Sequence, residues 1–313
     1  MDPGKVGDKT MISAEAEVLR AKLVEALVQL AGTEENPVSV DDMRGLYGLF
    51  SDNATEPDSV TWTEVDAGGV PAIWADAEVG TTDRVVQYVH GGGYVIGGAH
   101  HYKRLTGHIA KAVGCRVLSV DYRLAPEHPH PAPVEDSATA YRWLLAQGYD
   151  STHLAISGDS AGGGLTLATL LALRDAGTAQ PAAAVPISPW VDMEGLGESM
   201  TTNAVNDALV QAPMLLGMAG MFLSGHDPKD PLASPMYADF TGVAPLYIQV
   251  GGYETLLDDA KRVAEAAQRD GVDVTLEVFP EMQHVFQMGA GNVPESDDAI
   301  AKIGAFLRPR LGL

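Results

Sequence analysis

A serine stands between two glycines where a short apolar run gives way to a helical pattern. The run is Leu154 to Ser157, the motif is Gly158-Asp159-Ser160-Ala161-Gly162, and the helical pattern continues from Leu165. A tight turn from strand to helix holds such a serine with its hydroxyl projecting, and the amino end of the helix favours negative charge beside it. Ser160 is therefore a candidate nucleophile. From the motif alone, a glycine-rich turn without chemistry is the alternative.

Three consecutive glycines follow an earlier apolar run. Arg84 to Val89 leads into His90-Gly91-Gly92-Gly93, and the backbone N–H groups that such glycines leave uncovered can bind the negative oxygen that develops on a carbonyl under attack. Phosphate binding is the alternative, but neither glycine run has the G-x-x-x-x-G-K-[ST] or the G-x-G-x-x-G pattern. The sequence therefore predicts an oxyanion-binding loop. We expect His90, which precedes the glycines, to shape this loop by hydrogen bonding.

A serine nucleophile needs a histidine to remove its proton, and after a strand-turn-helix motif of this kind the histidine comes later in the chain. Only His226 and His284 follow Ser160. His226 lies in a predicted turn. His284 follows the last apolar run, in a loop at the carboxyl edge of the expected sheet, and is the predicted base.

An orienting carboxylate is expected at the end of the strand before that histidine. Glu254 is the first acidic residue after the run Leu246 to Val250, where its side chain can still reach the sheet edge. Asp258 and Asp259 lie about a turn into the following helical pattern and are the alternatives. We favour Glu254, since a longer carboxylate can orient a histidine as Asp does.

Eight apolar or β-branched runs position these residues. The runs are Val60 to Val65, Val70 to Trp74, Arg84 to Val89, Arg116 to Asp121, Leu154 to Ser157, Ala183 to Ile187, Leu246 to Val250 and Val274 to Phe279. From the third run onward helical patterns intervene, at 102–113, 134–147, 161–176, 255–270 and 295–308. This rhythm predicts a mostly parallel α/β sheet, with the first two strands antiparallel.

Two segments fall outside that rhythm. Ile12 to Leu30 and Val38 to Phe50 are predicted helices, with Ser13 and Ser39 as candidate N-caps. Nearly sixty residues separate the runs that end at Ile187 and begin at Leu246, far more than a connection needs. We expect this insertion and the N-terminal helices to form a cap over one end of the sheet.

The insertion carries an uncharged stretch, 208–225, that resembles a membrane span in length. Gln211 and Pro213 interrupt it, so a helix of about three turns from Pro213 is the better interpretation. Met214 and Met218 lie on one face of that helix. The face is either part of the core, which the sequence favours, or the flexible wall of an apolar pocket.

The charge balance excludes several classes of partner. Lys and Arg number 20 against 42 Asp and Glu, a formal net charge of −22, so we expect neither nucleic acid nor an anionic membrane as a partner.

Cys115 is the only cysteine, so no intrachain disulfide can form, and we expect it to be a plain buried thiol. The first ten residues lack the apolar segment of a signal peptide, and we expect a cytoplasmic location.

Together these motifs resemble the hormone-sensitive-lipase-like branch of the α/β-hydrolases, the bacterial family IV esterases, and the heroin-esterase and monoterpene-lactone-hydrolase-like members among them. The resemblance covers the chain from about His90 onward. It rests, in order, on His90-Gly91-Gly92-Gly93, Asp121 to Pro129, Gly158 to Gly163 and the loop of His284. It implies an α/β-hydrolase fold, with a mostly parallel eight-stranded sheet flanked by helices in a single domain of residues 1–313, and a helical cap from about 1–50 and about 191–226.

The resemblance also implies residue roles. They are a triad of Ser160, His284 and Glu254, and an oxyanion hole formed by the N–H groups of Gly91, Gly92 and Ala161. The family usually has Asp-Pro-Leu where this chain has Glu254-Thr255-Leu256, so the acid departs from the common pattern. No cofactor or metal is expected, since no zinc spacing such as H-E-x-x-H occurs.

The implied activity is hydrolysis of short- to medium-chain neutral esters through an acyl-enzyme. A lactone hydrolase with the same machinery, or a non-catalytic ligand-binding protein on this fold, is the alternative. The candidate pocket residues are Tyr94, Trp190, Met214 and Met218, although a core position is equally compatible with Trp190. Family resemblance further implies a homodimer that pairs through the last strand, Val274 to Phe279.

Overall fold

The computed structural model describes residues 12–31 and 38–313. Its strands are β1 (Val60–Asp66), β2 (Pro71–Ala77), β3 (Thr81–Val89), β4 (Cys115–Val120), β5 (Leu154–Asp159), β6 (Ala183–Ile187), β7 (Leu246–Gly251) and β8 (Val274–Phe279). Within these residues they form one eight-stranded sheet in the order β1-β2-β4-β3-β5-β6-β7-β8. β2 pairs antiparallel with β1 and β4, and every other pair is parallel. The predicted fold class is confirmed.

Helices cover the sheet. The α-helices of the described residues are α1 (Ala14–Ala31), α2 (Val40–Leu46), α3 (Gly48–Ser51), α4 (Lys103–Val113), α5 (Ala132–Ala146), α6 (Ala161–Asp175), α7 (Ser199–Thr202), α8 (Ala212–Leu223), α9 (Leu257–Arg269) and α10 (Pro294–Arg310). Short 3₁₀ turns lie at Ala99–Tyr102, Ser151–His153, Pro235–Tyr237 and Phe286–Gly289.

The central strands are apolar on both faces, as a parallel sheet with helices on each side requires. Every residue of β5, β6 and β7 is buried. Cys115, at the start of β4, is fully buried as well, and burial raises the pKa of its thiol to about 12. The thiol is therefore protonated and unreactive at neutral pH, as the sequence predicts.

The N-terminal helices depart in one respect from the prediction. The helix predicted over 38–50 is broken into α2 and α3. Ser39 caps α2 in a capping box, because its side chain accepts from the Asp42 N–H while the Asp42 carboxylate accepts from the Ser39 N–H. Ser13 precedes α1, and its N–H and hydroxyl both donate to the Glu295 carboxylate at 2.7 Å, which ties α1 to α10. The predicted features at residues 1–11 and 32–37 lie outside the described residues.

The uncharged stretch in the insertion folds as α8, twelve residues long. Over residues 12–31 and 38–313, no helix combines the length and the apolarity that crossing a bilayer needs.

Topology brings the candidate residues to one edge. Ser160 follows β5, the glycine loop follows β3, Glu254 follows β7 and His284 follows β8. These four strands are parallel, so their carboxyl ends lie at the same edge of the sheet, where α/β proteins bind ligands.

The packing of α10 on α4 depends on Gly304. A Cβ added there would lie 2.5 Å from the carbonyl oxygen of Ala112. We expect Gly304→Ala to lower the free energy of unfolding by about 1–3 kcal/mol, because the helices must separate. Gly217 on α8 has nothing within 4 Å of an added Cβ, so Gly217→Ala should raise that free energy by about 0.5–1 kcal/mol. Urea unfolding measures both, and equal stability of the two variants would contradict the close contact.

Candidate active site

Ser160 occupies a strained turn between β5 and α6. Its backbone angles are φ 54° and ψ −121°, a region that non-glycine residues rarely adopt and that costs about 1–3 kcal/mol. Two hydrogen bonds to the loop after β6 hold the turn. The Ser160 N–H donates to the Ile187 carbonyl, and the Trp190 N–H donates to the Ser160 carbonyl, both at 2.9 Å.

The glycines on either side of Ser160 are required by close backbone approach. A Cβ on Gly162 would lie 2.0 Å from the carbonyl oxygen of Val89, and one on Gly158 would lie 2.4 Å from the same atom. Neither distance is possible for a side-chain carbon. The G-x-S-x-G spacing thus lets the nucleophile turn fit against the end of β3.

His284 and Glu254 form a buried pair. The Nδ1 of His284 lies 2.8 Å from Oε2 of Glu254, and both side chains are buried. An ionised carboxylate can only accept, so Nδ1 carries the hydrogen and Nε2 is left with a lone pair. Ser160 and His284 line the same cavity. The structure therefore brings the predicted base and acid together beside the serine.

The other oxygen of Glu254 is satisfied by two donors that sequence reasoning missed. Oε1 accepts from the Ser188 hydroxyl at 2.7 Å and from the Gly251 N–H. The Ser188 hydroxyl also accepts from the Val285 N–H at 3.3 Å, next to His284. Ser188 follows β6 in an unremarkable Ser-Pro-Trp sequence, so nothing in the chain marks it as a partner of the acid.

The alternative acids have other partners. The carboxylate of Asp258 accepts from the Ser199 N–H at 2.8 Å. Asp259 accepts from the N–H groups of Val191 and Asp192. Both therefore anchor the insertion, and neither is bonded to the histidine.

Charge around His284 sets its protonation. Burial by itself lowers the pKa of His284, but the hydrogen bond and negative charge of Glu254, with the charges of Asp207 and Asp159, outweigh burial and raise that pKa above its usual value. The imidazolium that forms when His284 takes a proton is thus stabilised where it is buried.

The insertion is bound to the loops that carry this pair. Asp207 accepts from the Thr255 N–H at 2.7 Å, next to Glu254. Gln283 accepts from the Ala208 N–H at 2.7 Å, next to the histidine. Sequence reasoning placed the insertion over the sheet but found neither anchor, because both depend on contacts between distant segments.

The glycine loop corrects one predicted oxyanion donor. The Gly91 N–H donates to Oδ1 of Asp159 and to the hydroxyl of Tyr102, each at 3.1 Å. Since this hydrogen is already bonded within the protein, Gly91 is not available to an oxyanion, and its predicted role is wrong.

Three other N–H groups are available. Gly92 and Gly93 line the cavity with Ser160, and the backbone N–H groups of both have no acceptor in the part of the chain that the structure describes. Ala161 is the first residue of α6, so its N–H lacks a partner in the preceding turn. The geometry therefore favours Gly92, Gly93 and Ala161 as donors.

His90 has the loop-shaping position expected of it. Its ring is buried and stacks on Tyr122 with centroids 4.2 Å apart. Its Nδ1 lies 2.7 Å from the Gly91 carbonyl oxygen, and burial lowers its pKa.

The cavity in front of Ser160 is lined mainly by apolar side chains. Leu19 and Leu23 of α1 contribute to its wall, and so do Met214 and Met218 of α8. Met218 packs directly on the glycine loop, since a Cβ on Gly93 would lie 2.2 Å from its sulfur. The methionine face therefore forms a pocket wall, which the sequence had ranked second.

Tyr94 and Trp190 do not line this cavity, and their predicted role is wrong. Both are fully buried. The Tyr94 ring stacks on Phe222 with centroids 3.8 Å apart, and Trp190 Nε1 donates to the Asp192 carbonyl at 3.1 Å. They join the insertion to the sheet as core residues.

Comparison with known proteins places this geometry in a family. A family model described as an α/β-hydrolase fold matches residues 86–288. This chain belongs to the α/β-hydrolase family. It is 47% identical over 229 residues to an acetyl-hydrolase of Streptomyces hygroscopicus, a match that covers 73% of this chain and 77% of that protein.

Solved structures agree with that relationship. The crystal structure of an esterase from the bacterial hormone-sensitive lipase family superimposes with a TM-score of 0.92 at 48% identity, over 97% of this chain and 100% of that one. EstE5 superimposes with a TM-score of 0.90 at 40% identity, over 96% and 100%. The α/β-hydrolase is thus an esterase of the hormone-sensitive-lipase group.

The buried Glu254–His284 pair predicts which of two carboxylate variants loses more activity. Glu254→Gln should lower kcat/KM of the esterase by about two to four orders of magnitude, because the amide no longer stabilises the imidazolium. Asp258→Asn is the matched control and should cost less than about tenfold, since an amide oxygen can still accept from the Ser199 N–H.

The pH dependence of kcat/KM further distinguishes Glu254→Gln from Asp258→Asn. His284 must be neutral to act as a base, so activity is lost as pH falls through its raised pKa. Removing the charge of Glu254 lowers that pKa, so the acid limb of Glu254→Gln should move to lower pH. An unmoved limb in Glu254→Gln, or a greater loss in Asp258→Asn, would transfer the role to another carboxylate.

Proposed function

We propose that this esterase hydrolyses short- to medium-chain neutral carboxylic esters through Ser160, His284 and Glu254 and a covalent acyl-enzyme. The observation that carries the proposal is the buried hydrogen bond between Glu254 and His284 at 2.8 Å. It leaves Nε2 as an acceptor in the wall of the cavity that also contains the strained serine.

The reaction proceeds in two halves. His284 Nε2 takes the hydroxyl proton as Ser160 Oγ bonds to the ester carbonyl carbon, and the oxyanion is stabilised by the N–H groups of Gly92, Gly93 and Ala161. The C–O bond to the alcohol then breaks and His284 protonates the departing oxygen. Water, deprotonated by His284, then attacks the acyl carbon. The bond to Ser160 Oγ breaks, His284 returns the proton to Oγ, and the carboxylic acid leaves.

The substrate class follows from the cavity and the charge. The wall is apolar and methionine-rich, which suits an uncharged acyl chain and can adapt to its shape. The formal net charge of −22 disfavours anionic substrates and favours departure of an anionic acid. Among the relatives, one is an acetyl-hydrolase and a crystal of EstE5 was soaked with p-nitrophenyl butyrate, which supports short acyl groups.

Two segments that are far apart in the chain line this pocket together, which supports a cap that shapes it. Leu19 and Leu23 come from the N-terminal helices, and Leu209 and Met214 come from the insertion, yet all four line one cavity with Ser160. We propose that residues up to about 50 and about 191–226 act together as this cap. Residues 1–11 and 32–37 of this proposed cap lie outside the residues that the structure describes.

Ser160→Ala should lower kcat for p-nitrophenyl butyrate by several orders of magnitude, since no attacking oxygen remains. Ser151→Ala, at the opposite end of β5, is the control and should retain normal turnover. A fluorophosphonate probe should label the natural protein and Ser151→Ala at Ser160, and should not label Ser160→Ala. Normal turnover by Ser160→Ala would exclude the proposal, while a panel of esters, lactones and anilides separates ester from lactone preference.

We also propose a homodimer that pairs through β8. This strand lies at the edge of the sheet, and Val278 on it is 37% exposed, which leaves backbone groups and an apolar side chain for a second copy. Light scattering should give twice the mass of one chain, and Val278→Lys should shift the population toward monomer. A monomeric natural protein at micromolar concentration would contradict this pairing.

A further inference from the structure

A second buried carboxylate directly precedes the proposed nucleophile in the chain. Asp159 is buried, and no cationic side chain forms a salt bridge with it in residues 12–31 or 38–313. Its charge is instead balanced by hydrogen-bond donors. Tyr88 donates to Oδ1 at 2.7 Å and Tyr102 donates to Oδ2 at 2.9 Å. The third donor is the Gly91 N–H, at 3.1 Å from Oδ1.

The protonation states of Asp159, Tyr88 and Tyr102 determine which of them donates and which accepts in these hydrogen bonds. Burial raises the pKa of Asp159 to about 6, so the carboxylate is ionised at neutral pH and accepts all three bonds. Burial also raises the pKa values of Tyr88 and Tyr102, so both hydroxyls keep their hydrogens. A buried carboxylate is costly unless such donors are fixed around it.

The Gly91 contact holds the start of the glycine loop in place. A Cβ on Gly91 would lie 2.2 Å from Oδ2 of Asp159, so the loop rests directly on the carboxylate. The bonds of the Gly91 N–H hold the first peptide group of the loop, from which the next two extend. Because a peptide group is planar, the Gly92 N–H is held through the Gly91 carbonyl, which contacts His90 Nδ1, and the Gly93 N–H is held through the Gly92 carbonyl, which accepts from the Val95 and Ile96 N–H groups. Gly92 and Gly93 are the glycines of this loop that line the cavity.

Tyr102 extends the hydrogen-bond network from Asp159 to the N-terminal helices. Its hydroxyl donates to Asp159 and accepts from the Gly91 N–H at 3.1 Å. It is also 2.6 Å from the hydroxyl of Tyr47. Because the hydrogen of Tyr102 is directed to the carboxylate, Tyr47 is the donor in this contact. Tyr47 is the C-cap residue of α2, so a continuous chain of hydrogen bonds joins the N-terminal helices to the glycine loop.

We propose that Asp159 is a positioning residue for the oxyanion hole, and that Tyr102 and Tyr47 couple the hole to the N-terminal helices. The inference rests on the proposed function, since it assigns the oxyanion to the Gly92 and Gly93 N–H groups. Asp159 acts on those groups through Gly91 and takes no part in bond making.

The expected effect lies in the transition state. Loss of one oxyanion donor costs about 100- to 1000-fold in kcat, and misdirecting donors that remain present should cost less. We expect Asp159→Leu, which keeps the volume but removes every acceptor, to lower kcat about 10- to 100-fold with KM changed less than about twofold. Asp159→Asn should recover most of this loss, because its amide oxygen can accept from the Gly91 N–H.

Tyr102→Phe removes one acceptor of Gly91 and should lower kcat about tenfold. Tyr141→Phe is the matched control: it also deletes a buried tyrosine hydroxyl, which donates to the Ala179 carbonyl at 3.1 Å. Ala179 lies just before β6, at the edge of the sheet opposite the site. Both variants should lose similar stability, but only Tyr102→Phe should lose turnover. If Asp159→Leu does not fold, this pair carries the test.

A transition-state analogue separates positioning from general destabilisation. A butylboronic acid forms a tetrahedral adduct on the serine, and its oxygen occupies the oxyanion position. The inhibition constant should rise by the same factor as kcat/KM falls in Asp159→Leu and Tyr102→Phe. Tyr47→Phe should have a smaller effect, and the double variant with Tyr102→Phe should be no worse than Tyr102→Phe alone, because both act through one hydroxyl contact.

Each part of the proposal would be overturned by a different result. A rise in KM with unchanged kcat, or equal losses of turnover in Tyr102→Phe and Tyr141→Phe, would overturn the positioning role. Additive effects of Tyr47→Phe and Tyr102→Phe would overturn the coupling to the N-terminal helices. Turnover retained by Ser160→Ala in the same assay would instead overturn the proposed function.

Discussion

A carboxylate buried without a cation is tolerated only if donors are fixed around it, and much of the site is arranged by that requirement. Glu254 and Asp159 are two such groups. Glu254 is satisfied by Ser188, Gly251 and His284, and these donors come from the ends of three different strands. Its burial therefore fixes the loops that carry the base.

Asp159, next to Ser160 in the chain, meets the same requirement with other donors. Its donors are Tyr88 within β3, Gly91 in the loop that follows β3, and Tyr102 at the start of the next helical segment. By our proposal, Glu254 orients the base His284, and Asp159 positions backbone N–H groups of the glycine loop. In the proposed reaction, these hydrogen bonds would hold the groups around the strained Ser160 turn before substrate binds.

The proposed cap is attached to these same loops, which connects the shape of the pocket with the geometry of the proposed catalytic groups. Asp207 and Ala208 of the insertion bind the loops next to Glu254 and His284, while Tyr47 of the N-terminal helices reaches Tyr102. The segments that form the apolar wall are therefore also structural supports of the site. A change in the cap is expected to alter turnover as well as substrate fit.

Much of this protein is determined by local sequence. The run-and-helix rhythm predicted every strand, because buried strands and amphipathic helices leave different apolar spacings. The turn at Ser160, and the histidine and carboxylate after the last two strands, follow from chain order and strand ends. What the tertiary structure decided is which groups are already bonded. The Gly91 N–H is taken by Asp159 and Tyr102, and Tyr94 is stacked on Phe222. These partners come from distant segments, so only the folded chain determines whether a hydrogen is free for a substrate or a ring is free to line a pocket.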